Sequence, residues 1–292
     1  CALVWSTYYG GTGDDRAYSI ATDPLNNVYL TGMTSGNFPI QNRGGAYNDA
    51  TYNGSTYDAF VVQFTSVGVL NWSTYYGGGA ADVGNWIIAD GSSINIVGSS
   101  NSTNLAVVNP GGGAYYQAAN AGGVNDAFIL EFSTAGNLSW ATYYGGTADD
   151  RGYAITKDNA DNVYICGETA SNNILTMNPG GGTYFQGVYG GGAGGIASTS
   201  GGDGFILEFS TSRSLLWGTY YGGSLEDATN SLWVNGCGNL YVTGLTYSTN
   251  FPLMNLSGAY NQAVNGGVAD AFVLKFASLT PFTITASSNV TI

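Results

Sequence analysis

The heptapeptide Trp5-Ser-Thr-Tyr-Tyr-Gly-Gly11 returns as Trp72-Ser-Thr-Tyr-Tyr-Gly-Gly78, Trp140-Ala-Thr-Tyr-Tyr-Gly-Gly146 and Trp217-Gly-Thr-Tyr-Tyr-Gly-Gly223. The tryptophans are 67, 68 and 77 residues apart, and the segments between them repeat as well. A long period with this much internal likeness means one supersecondary unit, copied and stacked so that neighbours cover each other's apolar faces. Any fold assigned to the chain has to accommodate four such units.

Aligned on tryptophan, each unit carries an aspartate ten residues on: Asp15, Asp82, Asp150 and Asp227. Eighteen residues on come Asp23, Asp90, Asp158 and then Asn235. The apolar segment between them holds Ile20, Ile87, Ile155 or Leu232. A tight turn such as Asp23-Pro-Leu-Asn-Asn27 leads into Val28-Tyr-Leu-Thr-Gly32, which predicts a hairpin. A long Gly/Asn-rich stretch follows, and then a strand typified by Asp58-Ala-Phe-Val-Val-Gln-Phe64. With the tryptophan segment, each unit is four antiparallel strands, and helical periodicity is lacking throughout. Phe60, Val62 and Phe64 line one face of the Asp58 strand, while Ala59 and Val61 are apolar on the other. A sheet apolar on both faces must be sandwiched between neighbours, as a propeller blade is.

The fold class expected is therefore all-β, a β-propeller of four four-stranded blades over residues 1–277 with a tail or linker at 278–292. The chain opens with a tryptophan strand that lacks three partners, and its fourth unit stops at Asp270–Phe276 with no tryptophan strand after it. Pairing these two segments would close a ring and remove the free edges. The alternative is that the four units are part of a larger propeller.

Composition narrows function mainly by exclusion. Six Lys or Arg stand against nineteen Asp or Glu, for a net charge of −13, which repels phosphate backbones and argues against nucleic-acid binding. Histidine is absent, which removes the usual general base, the Ser-His-Asp and Cys-His devices, and the commonest zinc ligand. Three cysteines, at 1, 166 and 237, make no disulfide framework. Cys166 lies in an apolar strand pattern and Cys237 in a turn; Cys1 reads as a trimmed chain end rather than a lipidated residue. No apolar run is long enough for a transmembrane helix.

The string Trp-Ser-Thr-Tyr-Tyr-Gly-Gly, the aspartate ten residues on, Asn-Val-Tyr-Leu-Thr-Gly, Asn-Phe-Pro, Gly-Ala-Tyr-Asn and Asp-Ala-Phe-Val resembles the bacterial SBBP family of β-propeller repeats. The likeness spans residues 1–277. The second and third units lack the Phe-Pro step of Phe38-Pro39 and Phe251-Pro252, and the third carries an insertion from Tyr189 to Gly202. The family's name implies seven blades, where this chain shows four units. The resemblance also implies large exported or surface proteins of Bacteroidetes-type bacteria, and hence an extracellular or outer-surface location.

Two sets of residues are candidate sites. Asp15, Asp82, Asp150 and Asp227 invite a calcium reading, since hard cations take clustered carboxylate oxygens. The structural alternative, an aspartate accepting backbone N–H bonds in the turn after Gly-Gly, is favoured, so no metal or other cofactor is expected. The second set lies in the long loops: Tyr47, Tyr52, Tyr57, Tyr115, Tyr116, Tyr184, Phe185, Tyr189 and Tyr260. Tyrosine offers flat apolar area with a polar tip, suited to a protein partner or a sugar. The competing assignment is that the repeated tyrosines tuck onto their own blades. The function expected is a non-catalytic scaffold or adhesin-type module that presents loops to a protein or assembly partner. A carbohydrate-binding propeller is the first alternative and a hydrolase or lyase the second. No residue is assigned a catalytic role.

Overall fold

The computed structural model describes residues 1–191 and 202–277; the predicted tail and most of the third unit's insertion lie outside the described residues. Among the described residues there are fifteen strands and no helix. The first sheet holds β1 (Asp15–Thr22), β2 (Val28–Thr34), β3 (Asp58–Phe64) and β4 (Leu70–Tyr76), antiparallel and in chain order. The second repeats this with β5 (Asp82–Ala89), β6 (Ser93–Ser100), β7 (Asp126–Ser133) and β8 (Leu138–Tyr144). The third has β9 (Asp150–Lys157), β10 (Val163–Thr169), β11 (Asp203–Phe209) and β12 (Leu215–Tyr221). The fourth has only β13 (Asp227–Val234), β14 (Leu240–Thr246) and β15 (Asp270–Phe276). Four antiparallel up-and-down sheets stacked in sequence are consistent with a propeller-like fold.

Local chemistry sets each blade. Asp23 receives the amides of Leu25 and Asn27, each at 2.9 Å, and Asn26 takes a φ of 61°, which fixes the first hairpin. Asp158 and Asn235 repeat the arrangement in the third and fourth blades. The glycine two residues before the end of each second strand faces a register shift in the first strand. A Cβ at Gly98 would lie 2.1 Å from the Val83 carbonyl oxygen and 2.3 Å from the Phe128 ring, so the close approach excludes any side chain there.

Apolar layers between consecutive blades make the core. Ala59 and Val61 on the rear of the first blade meet Ile87, Ile94, Ile96, Phe128, Leu130 and Phe132 on the front of the second, all buried. The second and third blades meet through Val97, Ala127 and Ile129 against Ile155, Ile165, Phe205 and Leu207. The third and fourth repeat it with Cys166 and Ile206 against Leu232, Val242, Phe272 and Leu274. First strands of adjacent blades touch, β1 against β5 and β5 against β9, which puts them on the inner side of the arc.

Each tryptophan of a fourth strand wedges between blades. Trp72 lies 5.3 Å from the Phe132 ring and donates its indole N–H to the Tyr47 carbonyl at 2.9 Å. Trp140 repeats the pair with Phe209 and Tyr115, and Trp217 with Phe276 and Tyr184.

The expected ring closure is not made. Residues 1–9 form no strand, and β15 has no partner on its outer edge among the described residues. Trp5 instead packs 6.0 Å from Phe64, and Tyr9 packs edge-on against Phe38 and Phe64. This segment sits on the first blade as Trp72 sits on the second. Its anchoring rings are thus engaged at one end of the arc while β15 stands open at the other.

Candidate functional site

The repeated Tyr-Tyr-Gly-Gly turn links each fourth strand to the next blade, and two series of aspartates converge on it. Asp150 receives the Gly146 amide at 2.7 Å and the Ser171 hydroxyl at 2.8 Å, and also the Thr169 hydroxyl. Asp82 does the same with Gly78, Ser102 and Ser100. Asp227 accepts from Gly223 and Ser248, and Asp15 from Gly11 and Thr34. These aspartates clamp the turn to the start of the long loop of the same blade. Most of their oxygens face N–H and O–H donors, while Asp227 Oδ1 is buried without a partner. Among the described residues, no three acidic or cysteine side chains gather in a way that could hold a metal ion.

The second series is the aspartate that opens each third strand. Asp126 receives the Ala121 amide and the Gln117 side-chain amide, both at 2.9 Å, and its Oδ1 is buried without a partner. Asp58 and Asp203 share this state. A Cβ on Gly145 would lie 2.7 Å from both the Asp126 carboxyl carbon and Asp150 Oδ2, so the turn threads between two carboxyls of adjacent blades. Gly77 and Gly222 each sit against the equivalent third-strand aspartate, Gly222 also against Asp227. Burial pushes Asp58, Asp126 and Asp203 up to about 7, and the neighbouring carboxylate adds to the rise. Asp150 is raised by burial to about 6, and burial raises Asp82 and Asp227 as well.

The sequence shows the Asp15 series and an aspartate opening the third strand at Asp58, but does not pair them. In an up-and-down sheet, first and third strands begin at the same end, so the sequence places both series on one face of the molecule; that the third-strand aspartate of one blade meets the first-strand aspartate of the next follows only from blade packing.

The long loops turn back along the outer edge of the fourth strands. Val108 and Ala141 exchange both main-chain hydrogen bonds, as do Met177 and Gly218. The Tyr143 amide donates to the Gln117 carbonyl, and the Tyr220 amide to that of Gln186. The loops therefore cover the edge each blade would otherwise expose.

The tyrosines separate into groups. Tyr47, Tyr115 and Tyr184 pack into the layers between blades, against Tyr76 and Phe132, Tyr144 and Phe209, and Tyr221 and Phe276 respectively. Tyr52 lies on Tyr75, and Tyr189 on Tyr220. Phe185 is half-buried, and Tyr116 is exposed. Tyr260, the fourth member of the repeated series, is 92% exposed. The structure does not gather the nine onto one aromatic platform.

Tyr57 lines a shallow cleft of about 410 Å³ at the joint of the first two blades. Its other walls include Asp14, Arg16, Tyr18, Met33 and Val83. Arg16 pairs with Asp14 at 2.6 Å on an exposed rim. The residues come from four separate segments, so only the fold assembles them.

No curated protein matches the chain. The model of a beta-propeller repeat family, SBBP, matches residues 4–39 and 139–174. Each match runs from a tryptophan segment through the Gly-Gly turn and the first hairpin to the start of a long loop. The structure gives these two stretches the same clamp, through Asp15 and Asp150. Over these two stretches the chain is thus similar to the SBBP beta-propeller repeat.

Proposed function

We propose that the chain is a non-catalytic binding module of the extracellular space or outer cell surface, which presents its edge-bound loops to a protein partner. The observation that carries this reading is the state of those loops. Main-chain bonds to the fourth strands hold them in place, yet large apolar side chains project from them: Tyr116, Val124, Leu175, Met177 and Val188 are all exposed. Ordered loops with apolar tips suit contact with another protein, because little ordering entropy is lost on binding. The aspartates conspicuous in sequence are engaged in holding turns, which favours a scaffold over acid–base chemistry.

A pull-down of surface proteins by the immobilised chain tests the reading, followed by calorimetry with the captured partner. Val188→Asp and Tyr116→Ala should each weaken binding about ten-fold or more if these tips form the contact. Unchanged affinity in both variants would overturn it.

A carbohydrate-binding reading has one specific support, the cleft with Tyr18, Tyr57 and the Arg16–Asp14 pair, since aromatic area beside charged hydrogen-bonding groups suits a sugar. Glycan-array binding lost in Tyr57→Ala would favour it over the protein-partner reading. Calcium, if it binds, would act at the clamps, and calorimetric titration of calcium into the metal-stripped chain tests that directly.

A further inference from the structure

The two ends of the blade stack carry complementary halves of the joint that the molecule already makes three times inside itself. On the rear of the fourth blade, Tyr241, Thr243, Ala271 and Val273 stand where the first blade has Tyr29, Thr31, Ala59 and Val61. Those four are buried by the second blade, whereas Val273 is 80% exposed. On the front of the first blade, Ile20 occupies the position of Ile87, Ile155 and Leu232, which are 1%, 1% and 5% exposed; Ile20 is 66% exposed. Among the described residues the rear of the fourth blade is thus open, and the front of the first is open along β1, while Phe60, Val62 and Phe64 behind it are already buried with Phe38 and Tyr9.

The edges match as the faces do. In the three complete blades, the tryptophan of the fourth strand lies opposite Gln63, Glu131 or Glu208 of the third. The same register places Trp5 opposite Lys275, Thr7 opposite Val273 and Tyr9 opposite Ala271. The first tyrosine of each pair is the most telling. Tyr143 and Tyr220 are buried, accept the amides of Leu105 and Ile174, and donate to the carbonyls of Ser102 and Ser171. Tyr8 is their counterpart and is fully exposed, while Ser248 and Phe251 hold the matching positions of the fourth blade. Tyr260 likewise lacks the neighbours that cover Tyr47, Tyr115 and Tyr184, and the missing neighbours correspond to Tyr9 and Phe64.

We propose that a second copy of this chain docks its first blade on the fourth blade of the first copy, with segment 4–9 of one chain added to β15 of the other as its fourth strand. The segment need not move to do so. It already lies on its own first blade as a preceding blade's fourth strand would, with Trp5 against Phe64 and above Gly68, as Trp72 stands against Phe132 and above Gly136. The contact is heterologous and joins copies head to tail, giving a closed ring or an open stack according to the rotation per joint. It combines strand addition with burial of an apolar sheet face. The joint also sets Asp270 near Asp15, the carboxylate pair found at each internal joint. The loop tips used by the proposed protein-binding reading lie elsewhere, so the two ideas can fail separately.

Light scattering after size exclusion tests the proposal. At roughly 100 µM, where an interface of standard size is well populated, the mass should be a multiple of the 30.2 kDa chain. Tyr8→Ala and Val273→Asp should each weaken association about ten-fold or more. Both side chains are exposed in the single chain, so its circular dichroism and melting at high dilution should not change. A cysteine pair then identifies the contact, in a background of Cys1→Ser and Cys237→Ser. One chain carries Thr7→Cys and the other Val273→Cys, and oxidation of the mixture should give a disulfide-linked heterodimer. A monomer at all concentrations, or an oligomer indifferent to both variants, would overturn the proposal. So would a double Thr7→Cys, Val273→Cys chain that forms its disulfide only within one molecule.

Discussion

At Gly145 a single methyl group would meet two carboxyls at once, one from each of two blades. Gly145→Ala should therefore lower stability by ~1–3 kcal/mol, read as a shift in the urea midpoint, because the backbone has nowhere to retreat. The flanking aspartates give a sharper test. Folding raises Asp58, Asp126 and Asp203 to about 7 and Asp150 to about 6, against an unfolded value near 3.9. Folding thus favours the protonated form. The stabilisation is complete below about pH 4 and is lost as pH rises through 6 to 7. Melting temperature should accordingly fall between pH 5 and pH 8, and Asp126→Asn should flatten that fall. A melting temperature that climbs over this range would contradict the assignment. Trp140 is fully buried and its indole N–H is satisfied, so Trp140→Ala should cost ~3–5 kcal/mol. The repeated Gly-Gly was plain in sequence, but the reason for it was not. Recurrence marks a position as constrained without saying what it touches.

Strands and their turns are the part of this molecule most directly written in its sequence. Alternation in Phe60, Val62 and Phe64, with Ala59 and Val61 between, placed both faces of β3 correctly, because side chains on a strand alternate by simple geometry. The Asp23 and Asp158 turns followed from side-chain bonds spanning two to four residues. Long loops were harder, since Gly- and Asn-rich chain has no period to read. Their pairing with the fourth strands depends on partners such as Val108 and Ala141, 33 residues apart. Val108→Pro would delete one donor of that bridge and should cost ~1–3 kcal/mol, with faster amide exchange at Ala141. Between blades, Arg213 reaches from the third to Glu131 of the second, an ion pair that no spacing rule anticipates.

At the scale of the whole molecule, the four sheets differ in how well they are covered. Among the described residues, the second and third have neighbours on both faces, while the fourth has three strands and an open rear. At dilutions that keep the chain monomeric, amides of β13–β15 should exchange faster than those of β9–β12. Equal protection would mean that the fourth blade is covered in solution. If copies join head to tail, the difference should shrink as concentration rises, because an association that requires the folded state stabilises it by mass action.

Sequence by itself determined the repeat, the strand pattern, the four-unit count and the acidic, histidine-free chemistry of this chain. Each of these rests on neighbours in the chain, on turn residues, or on the two-residue period of a strand. Only the tertiary structure decided that segment 1–9 lies on the first blade without pairing to β15. It alone showed that two aspartate series meet at each joint, and that the repeated tyrosines are packing residues where a next blade exists. Burial belongs to a side chain and its spatial neighbour together. Tyr47 and Tyr260 therefore occupy the same place in the repeat and opposite environments in the fold.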